Sequence, residues 1–282
     1  MTIKELDHKS VLSILPDRDP WGHKGTYGKI LLLCGSRGYT GAPYLAAMGA
    51  LRCGAGLVFL GVPESIYEIE AMKLHEPIVF PLPDEGGKFG YMAVNEILER
   101  LSSMDAVLVG CGLGQSAGTL TVVKSVLEHA NCPVILDADG INVIRDHKDI
   151  LRGRKGITIL TPHEGEFLRF GGTIDEDRMG SASYFAREWN SILVLKGHET
   201  CVTNGNEHYL NRTGNPGMAV GGCGDVLAGM ITGLIGQGIS PLEAAACAVW
   251  LHGRAGDVCA ERMGQYGMLP TDMLQVLPRL LK

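Results

Sequence analysis

Short apolar runs that end in glycine-bearing loops, each followed by helical periodicity, recur along the chain from its N-terminal third. They are KILLLCG (29–35), LVFLGVP (57–63), DAVLVGCG (105–112), PVILDAD (133–139), GITILTPH (156–163) and SILVLKG (191–197). A strand covered by helices on both faces reads as a continuous apolar run rather than an alternating one. The pattern therefore predicts an α/β fold with a mostly parallel central sheet flanked by helices on both faces. The first loop, SRGYTGA, leads into an alanine-rich helix over about 43–53.

After Lys196 the pattern changes. CVTNGNEHYL carries an Asn-Gly turn between two β-prone arms, a hairpin signal that adds some antiparallel strands at the sheet edge. Helical periodicity then takes over, with helices over 222–236, 241–263 and 269–280 and a break at QGISP. Pro241 opens the second of these, with Ser240 as its cap. No Pro- or Ser-rich linker divides residues 1–282, which are read as a single domain.

Charge and cysteine usage narrow the classes of function. With 25 Lys+Arg against 31 Asp+Glu the formal charge is −6, and no basic stripe is present, so nucleic acid is not expected as a partner. No apolar run approaches the ~18 residues a membrane span needs. The opening MTIKELDHKS resembles no targeting signal, and a cytoplasmic protein is expected. The 8 cysteines form no CxxC pair and sit mostly among apolar or glycine neighbours, which points to reduced, buried thiols. The 39 glycines form no repeat and are concentrated in loops.

Those loops carry the candidate chemistry. GSRGYTGA (35–42) lacks the Lys-Ser/Thr ending of a Walker A loop, and GCGLGQ (110–115) lacks the last glycine of GxGxxG. NRTGNPGMAVGGCGDVLAGM (211–230) differs from both, because its glycines precede a helix whose first turn holds Asp225. Consecutive N–H groups in such a turn point into one concavity, and the helix dipole adds about half a positive charge, so a transferring phosphoryl group is stabilised there. Asp225 at its rim either caps the helix or takes a proton from an attacking hydroxyl. Asp137 and Asp139 in LDADGIN stand at a strand end as further candidates, and His252 in AAACAVWLHG reads as a packing residue.

GNPGMAVGGCGDVLAG resembles the GxGD signature of ribokinase-like proteins, in the form found in ADP/ATP-dependent NAD(P)H-hydrate dehydratases. Further blocks resemble that family in the same order: HKGTYGKILLLCGSRGYTGAPYLAAMGALRCGAGLV (23–58), LDADGIN (136–142), LTPHEGE (160–166) and VLKGHET (194–200). The resemblance implies a ribokinase-like fold and a lyase of metabolite repair. Such an enzyme converts the hydrates NADHX and NADPHX to NADH and NADPH at the expense of ADP or ATP, by phosphorylating the C6 hydroxyl and eliminating phosphate. ADP is favoured, with AMP and phosphate as products.

Carried over by residue, the resemblance makes Asp225 the base and Gly222, Cys223 and Gly224 the anion hole. Cys223 stands where the family more often has Thr or another small residue, and Val220 where Thr is common. Because the hole uses backbone N–H groups, the expected effect is modest. Lys196, Gly197, His198, Glu199, Thr200 and Gly224 would contact the nucleotide, while Ala42, Gly112, Gly114, His163 and Asp225 would line the hydrate pocket. Glu166 would stand near Mg²⁺ through water. Without the resemblance, the segment after Lys196 reads as a solvated turn and His163 as a turn or cap residue. The implied partners are a separate epimerase and further copies of this chain, as in a tetramer. The alternative on the same fold is a small-molecule kinase, such as a vitamin-precursor kinase, which would stop at the phosphate ester.

Overall fold

In the computed structural model, which describes residues 2–282, side chains of the central strands divide cleanly between two faces. Ile30 and Leu32 of one strand enter one core layer, Leu31 and Leu33 the other, and all four are fully buried. This is the two-sided burial that the unbroken apolar runs require. The strands are β1 (Ile3–Lys4), β2 (Lys29–Leu33), β3 (Leu57–Pro63), β4 (Ile78–Leu82), β5 (Asp84–Glu85), β6 (Lys88–Phe89), β7 (Ala106–Val109), β8 (Val134–Leu136), β9 (Thr158–Leu160), β10 (Ser191–Leu195), β11 (Thr200–Thr203) and β12 (His208–Asn211). All but the small β5–β6 hairpin join one ten-stranded sheet, in the order β1-β12-β11-β10-β9-β8-β7-β2-β3-β4.

The helices are α1 (His8–Ile14), α2 (Gly41–Arg52), α3 (Glu64–Lys73), α4 (Ala93–Leu101), α5 (Ala117–His129), α6 (Asp139–Val143), α7 (Asp149–Gly153), α8 (Glu164–Arg169), α9 (Arg178–Glu188), α10 (Cys223–Gly236), α11 (Pro241–Met263) and α12 (Pro270–Leu280). Buried residues of α1–α3 and α10–α12 cover one face of the sheet, and those of α4–α9 the other. None of the described helices is long and apolar enough to cross a membrane.

The Asn-Gly hairpin forms, with Thr203 opposite His208. Its placement differs from the sequence expectation. Among the described residues only β11 runs against its neighbours in the main sheet, and it is an inner strand. The returning arm β12 is parallel to β10 and offers a free edge, which Ile3 and Lys4 pair in parallel. A two-residue strand has no periodicity to betray it. Ser240 also departs from expectation: it stands before α11, but its hydroxyl donates to Glu243 instead of accepting from the helix backbone.

Two features of the topology position the site. Strand β2 lies between β3 and β7, so the chain winds outward to β4 on one side, then recrosses β2 and winds outward from β7 on the other. Such a reversal opens a crevice beyond the strands' C-terminal ends, where α/β sheets bind ligands. The second feature is the close crossing of α2 and α10. A Cβ on Gly229 would overlap the Ala46 carbonyl, and one on Gly233 would lie 2.8 Å from that of Ala50. Glycine thus lets α10 sink against α2, fixing where its N-terminus emerges.

Candidate active site

The turn into α10 depends on glycine at Gly222. Its φ is +102°, and a Cβ would overlap the Leu45 side chain. From here the chain enters the helix, whose first N–H groups have no helical acceptor and carry the positive end of the dipole. The preceding loop is moored to α11: Asp257 accepts from Gly214 N at 3.0 Å and from Asn215 Nδ2 at 3.1 Å, and Thr213 Oγ1 donates to Trp250 O at 3.0 Å.

Asp225 lies in that first turn, half-buried. One ligand-capable atom of each of Cys111, Asp137 and Asp225 lies within 4.8 Å of the others. Burial, then the charge of Asp137, raises the Asp225 pKa to about 7, despite the opposing effects of Cys111 and Lys196. Asp137 is 2% exposed, and its Oδ1 accepts from Thr161 Oγ1 at 2.6 Å and from Lys196 Nζ at 2.9 Å. The Cys111 thiol donates to Asp137 Oδ2 at 3.6 Å. Hydrogen bonding with Cys34, followed by burial, holds that thiol well above its ordinary pKa, so it stays neutral.

Lys196 follows the end of β10, where the apolar run stops. Burial works against its ammonium, but Asp137 and then Glu166 outweigh it and raise the pKa. A Cβ on Gly224 would lie 3.2 Å from Lys196 Nζ, so the lysine and the glycine turn adjoin. Beyond Lys196 the loop is shaped by Arg178 of α9. Its guanidinium donates to the carbonyls of Leu195 (3.3 Å), Lys196 (3.0 Å), His198 (3.1 Å) and Glu199 (2.7 Å). Gly197 and His198 are exposed, Glu199 has φ +58° and pairs with Arg212 at 3.0 Å, and Thr200 Oγ1 donates to Gly197 O. The loop is therefore anchored from beneath with His198 open to solvent.

The loops after β2 and β7 form the other wall. A Cβ on Gly112 (φ +67°) would lie 2.9 Å from that of Ala42, so these two residues meet across the crevice. Gly114 (φ +68°) sits farther along, its N–H donating to Asp139 Oδ2 at 2.9 Å. His163 and Glu166 form a reciprocal cap on α8: Glu166 N donates to His163 Nδ1 at 3.3 Å, and His163 N donates to Glu166 Oε2 at 3.0 Å. The cap reading of His163 thus holds, while its side chain remains 54% exposed. A parallel bridge between His163 and Lys196 brings this cap beside the lysine.

These residues limit how Mg²⁺ could be held. A protonated thiol and a carboxylate engaged by a lysine are a poor donor set for an ion that takes hard oxygens and keeps its waters. Glu166, 6% exposed with one oxygen in the cap, suits contact through water. The site fits an ion carried on nucleotide phosphates better than one caged by protein.

Sequence reading gave Cys111 only as a reduced, buried thiol, gave Arg178 no role and gave His252 to packing. His252 Nε2 lies 2.9 Å from Cys223 O, directly behind the glycine turn. A cavity of about 710 Å³ lies at the opposite end of β10, lined by residues including Asn190, Ser191, Asn204 and Glu243. None of the glycine-turn residues lines it.

Comparison with known proteins fits this geometry. A family model described as NAD(P)H-hydrate dehydratase matches residues 30–279. The chain belongs to the NAD(P)H-hydrate dehydratase family. It is 34% identical to the ADP-dependent (S)-NAD(P)H-hydrate dehydratase of Bacillus subtilis, covering 100% of this chain and 99% of that protein. It is 44% identical to the bifunctional NAD(P)H-hydrate repair enzyme of Moorella thermoacetica over 96% of this chain, yet spans only 52% of that relative, about half its length. A crystal structure of the B. subtilis ADP/ATP-dependent dehydratase, co-crystallised with ATP/Mg²⁺, superposes with a TM-score of 0.87 at 32% identity, covering 99% of this chain and 98% of that one. A crystal structure of an Enterococcus faecalis protein described as ribokinase-like also superposes, with a TM-score of 0.86 at 27% identity, covering 99% of this chain and 95% of that one, so the ribokinase-like expectation is met, and the dehydratase resemblance with it.

Proposed function

We propose that this chain dehydrates NADHX and NADPHX to NADH and NADPH using a nucleoside phosphate, with ADP favoured because the B. subtilis relative is named ADP-dependent. The observation that carries this reading is the Asp225 carboxyl, with a pKa of about 7, in the first turn of a helix whose opening at Gly222–Gly224 adjoins the Lys196 ammonium. A carboxylate titrating near neutrality is matched to accepting a hydroxyl proton.

In this mechanism Asp225 takes the proton of the C6 hydroxyl as its oxygen attacks the terminal phosphorus. The N–H groups of the Gly222–Cys223–Gly224 turn hold the phosphoryl oxygens as charge spreads over them, and Lys196 adds a fixed positive charge. The bond from the terminal phosphorus to the nucleotide breaks, leaving AMP from ADP. Phosphate then departs from C6 with its bonding electrons, assisted by the ring nitrogen lone pair, and loss of a C5 proton restores the dihydronicotinamide. Lys196, Gly197, His198, Glu199 and Thr200 are assigned to the nucleotide, and Ala42, Gly112, Gly114 and His163 to the hydrate. Mg²⁺, if it arrives with the nucleotide, would supply counter-charge to the phosphates, and Glu166 is the residue that would help to hold it, through water. An epimerase acting on the same hydrates is the expected functional partner.

Incubating the protein with NADHX and ADP, then ATP, tests the reading. The expected result is return of reduced-nicotinamide absorbance with equimolar free phosphate. A stable phosphate ester would favour the small-molecule kinase, and no turnover with either nucleotide would overturn the proposal.

A further inference from the structure

His252 sits on α11 behind the glycine turn, 8% exposed, with Nε2 2.9 Å from Cys223 O. A carbonyl oxygen only accepts, so Nε2 carries the proton and donates. In a trans peptide the carbonyl oxygen and the following N–H share one plane and point in opposite directions. A donor fixed on the Cys223 oxygen therefore acts on the N–H of Gly224. It sets the orientation of that N–H and, by drawing electron density toward the oxygen, makes it a stronger donor.

We infer that His252 is a positioning residue of the anion hole, gripping the Cys223 carbonyl so that the Gly224 N–H is aimed at, and polarised toward, the transferring phosphoryl group. This rests on the proposed role of the glycine turn. Burial lowers the imidazole pKa to about 4, so at neutral pH the ring is an uncharged donor and brings no cation of its own to the turn. Gly253, the next residue, has no room for a side chain because Thr213 fills the space, so α11 packs tightly where the ring projects.

The test compares His252→Leu and His252→Met, which fill the space without a donor, with His252→Gln, which returns one. With NADHX and ADP, kcat is expected to fall about tenfold in the donorless variants, with KM for the hydrate within about twofold, and to recover to within about threefold in His252→Gln. A second readout needs no turnover: the Gly224 amide proton resonance moves upfield in the donorless variants and returns in His252→Gln. The inference is overturned if a folded donorless variant keeps more than half of kcat, if His252→Gln loses as much as the others, or if the Gly224 resonance does not move. Should neither donorless variant fold, His252→Gln decides: near-normal kcat with an unmoved Gly224 resonance supports the inference, and a collapse of kcat in a folded protein overturns it. Asp225→Asn assayed alongside separates the two proposals. If it turns over normally, the active-site assignment fails; if it is inactive while the donorless variants are normal, only the role of His252 fails.

Discussion

The ammonium of Lys196 lies 2.9 Å from Asp137 Oδ1 and within 3.2 Å of where a Gly224 side chain would begin. One cation thus neutralises the buried carboxylate of Asp137 and holds positive charge against the glycine turn. Replacing it leaves Asp137 buried and unpaired, a change that costs about 3–5 kcal/mol. Lys196→Met is expected to lose stability on that scale in denaturant unfolding at neutral pH. Because Lys196 lowers the Asp225 pKa, the same variant should shift the acid limb of the pH–rate profile upward.

The Asp225 carboxyl makes two pH-dependent predictions. Its base form predominates only above a pKa of about 7, so kcat should climb from the acid side through that pH and level off above it. For stability the sign is opposite. The folded state retains a proton that the unfolded chain releases near the ordinary carboxyl value of 3.8, so this group's contribution falls as pH rises from there through about 7. Asp225→Asn should therefore raise Tm at pH ~8 by more than at pH ~4, a gain corresponding to a few kcal/mol at most. Thermal melts of both proteins across this range check it.

Gly222 and Gly221 separate backbone need from mere proximity. At Gly222, φ of +102° and overlap with Leu45 make Gly222→Ala destabilising by about 1–3 kcal/mol. A Cβ on Gly221 meets nothing within 4 Å, so Gly221→Ala should leave stability within about 0.5 kcal/mol. Urea unfolding of the two variants provides the comparison.

Arg178 holds the loop after Lys196 by donating to four carbonyls from Leu195 to Glu199. Lysine cannot reproduce that planar fork. Arg178→Lys should weaken ADP binding about tenfold in calorimetry while leaving the acid limb set by Asp225 unchanged.

How much of this was legible in the sequence depended on whether a residue's role creates a local pattern. The continuous apolar runs announced the buried strands, and clustered glycines before Asp225 announced the turn, because both demands fall on neighbouring residues. Lys196 was visible as the polar residue ending an apolar strand. Arg178 and His252 were not, since each acts by donating to backbone carbonyls, which impose no identity on the residues that own them. His252 comes from a helix 29 positions beyond its acceptor. Asp137 was visible as a strand-end carboxylate, but its pairing with Lys196, 59 positions away, required the sheet order. His163 showed both of its readings in sequence, and the structure displays the helix cap.

The decisive measurement is a single-turnover assay of Asp225→Asn with NADHX and ADP, following phosphate release and NADH formation, beside calorimetric binding of ADP. Turnover should fall at least ~100-fold while ADP affinity stays within a few-fold of the unmodified protein. Turnover close to that of the unmodified protein would contradict the assignment of Asp225 as the base.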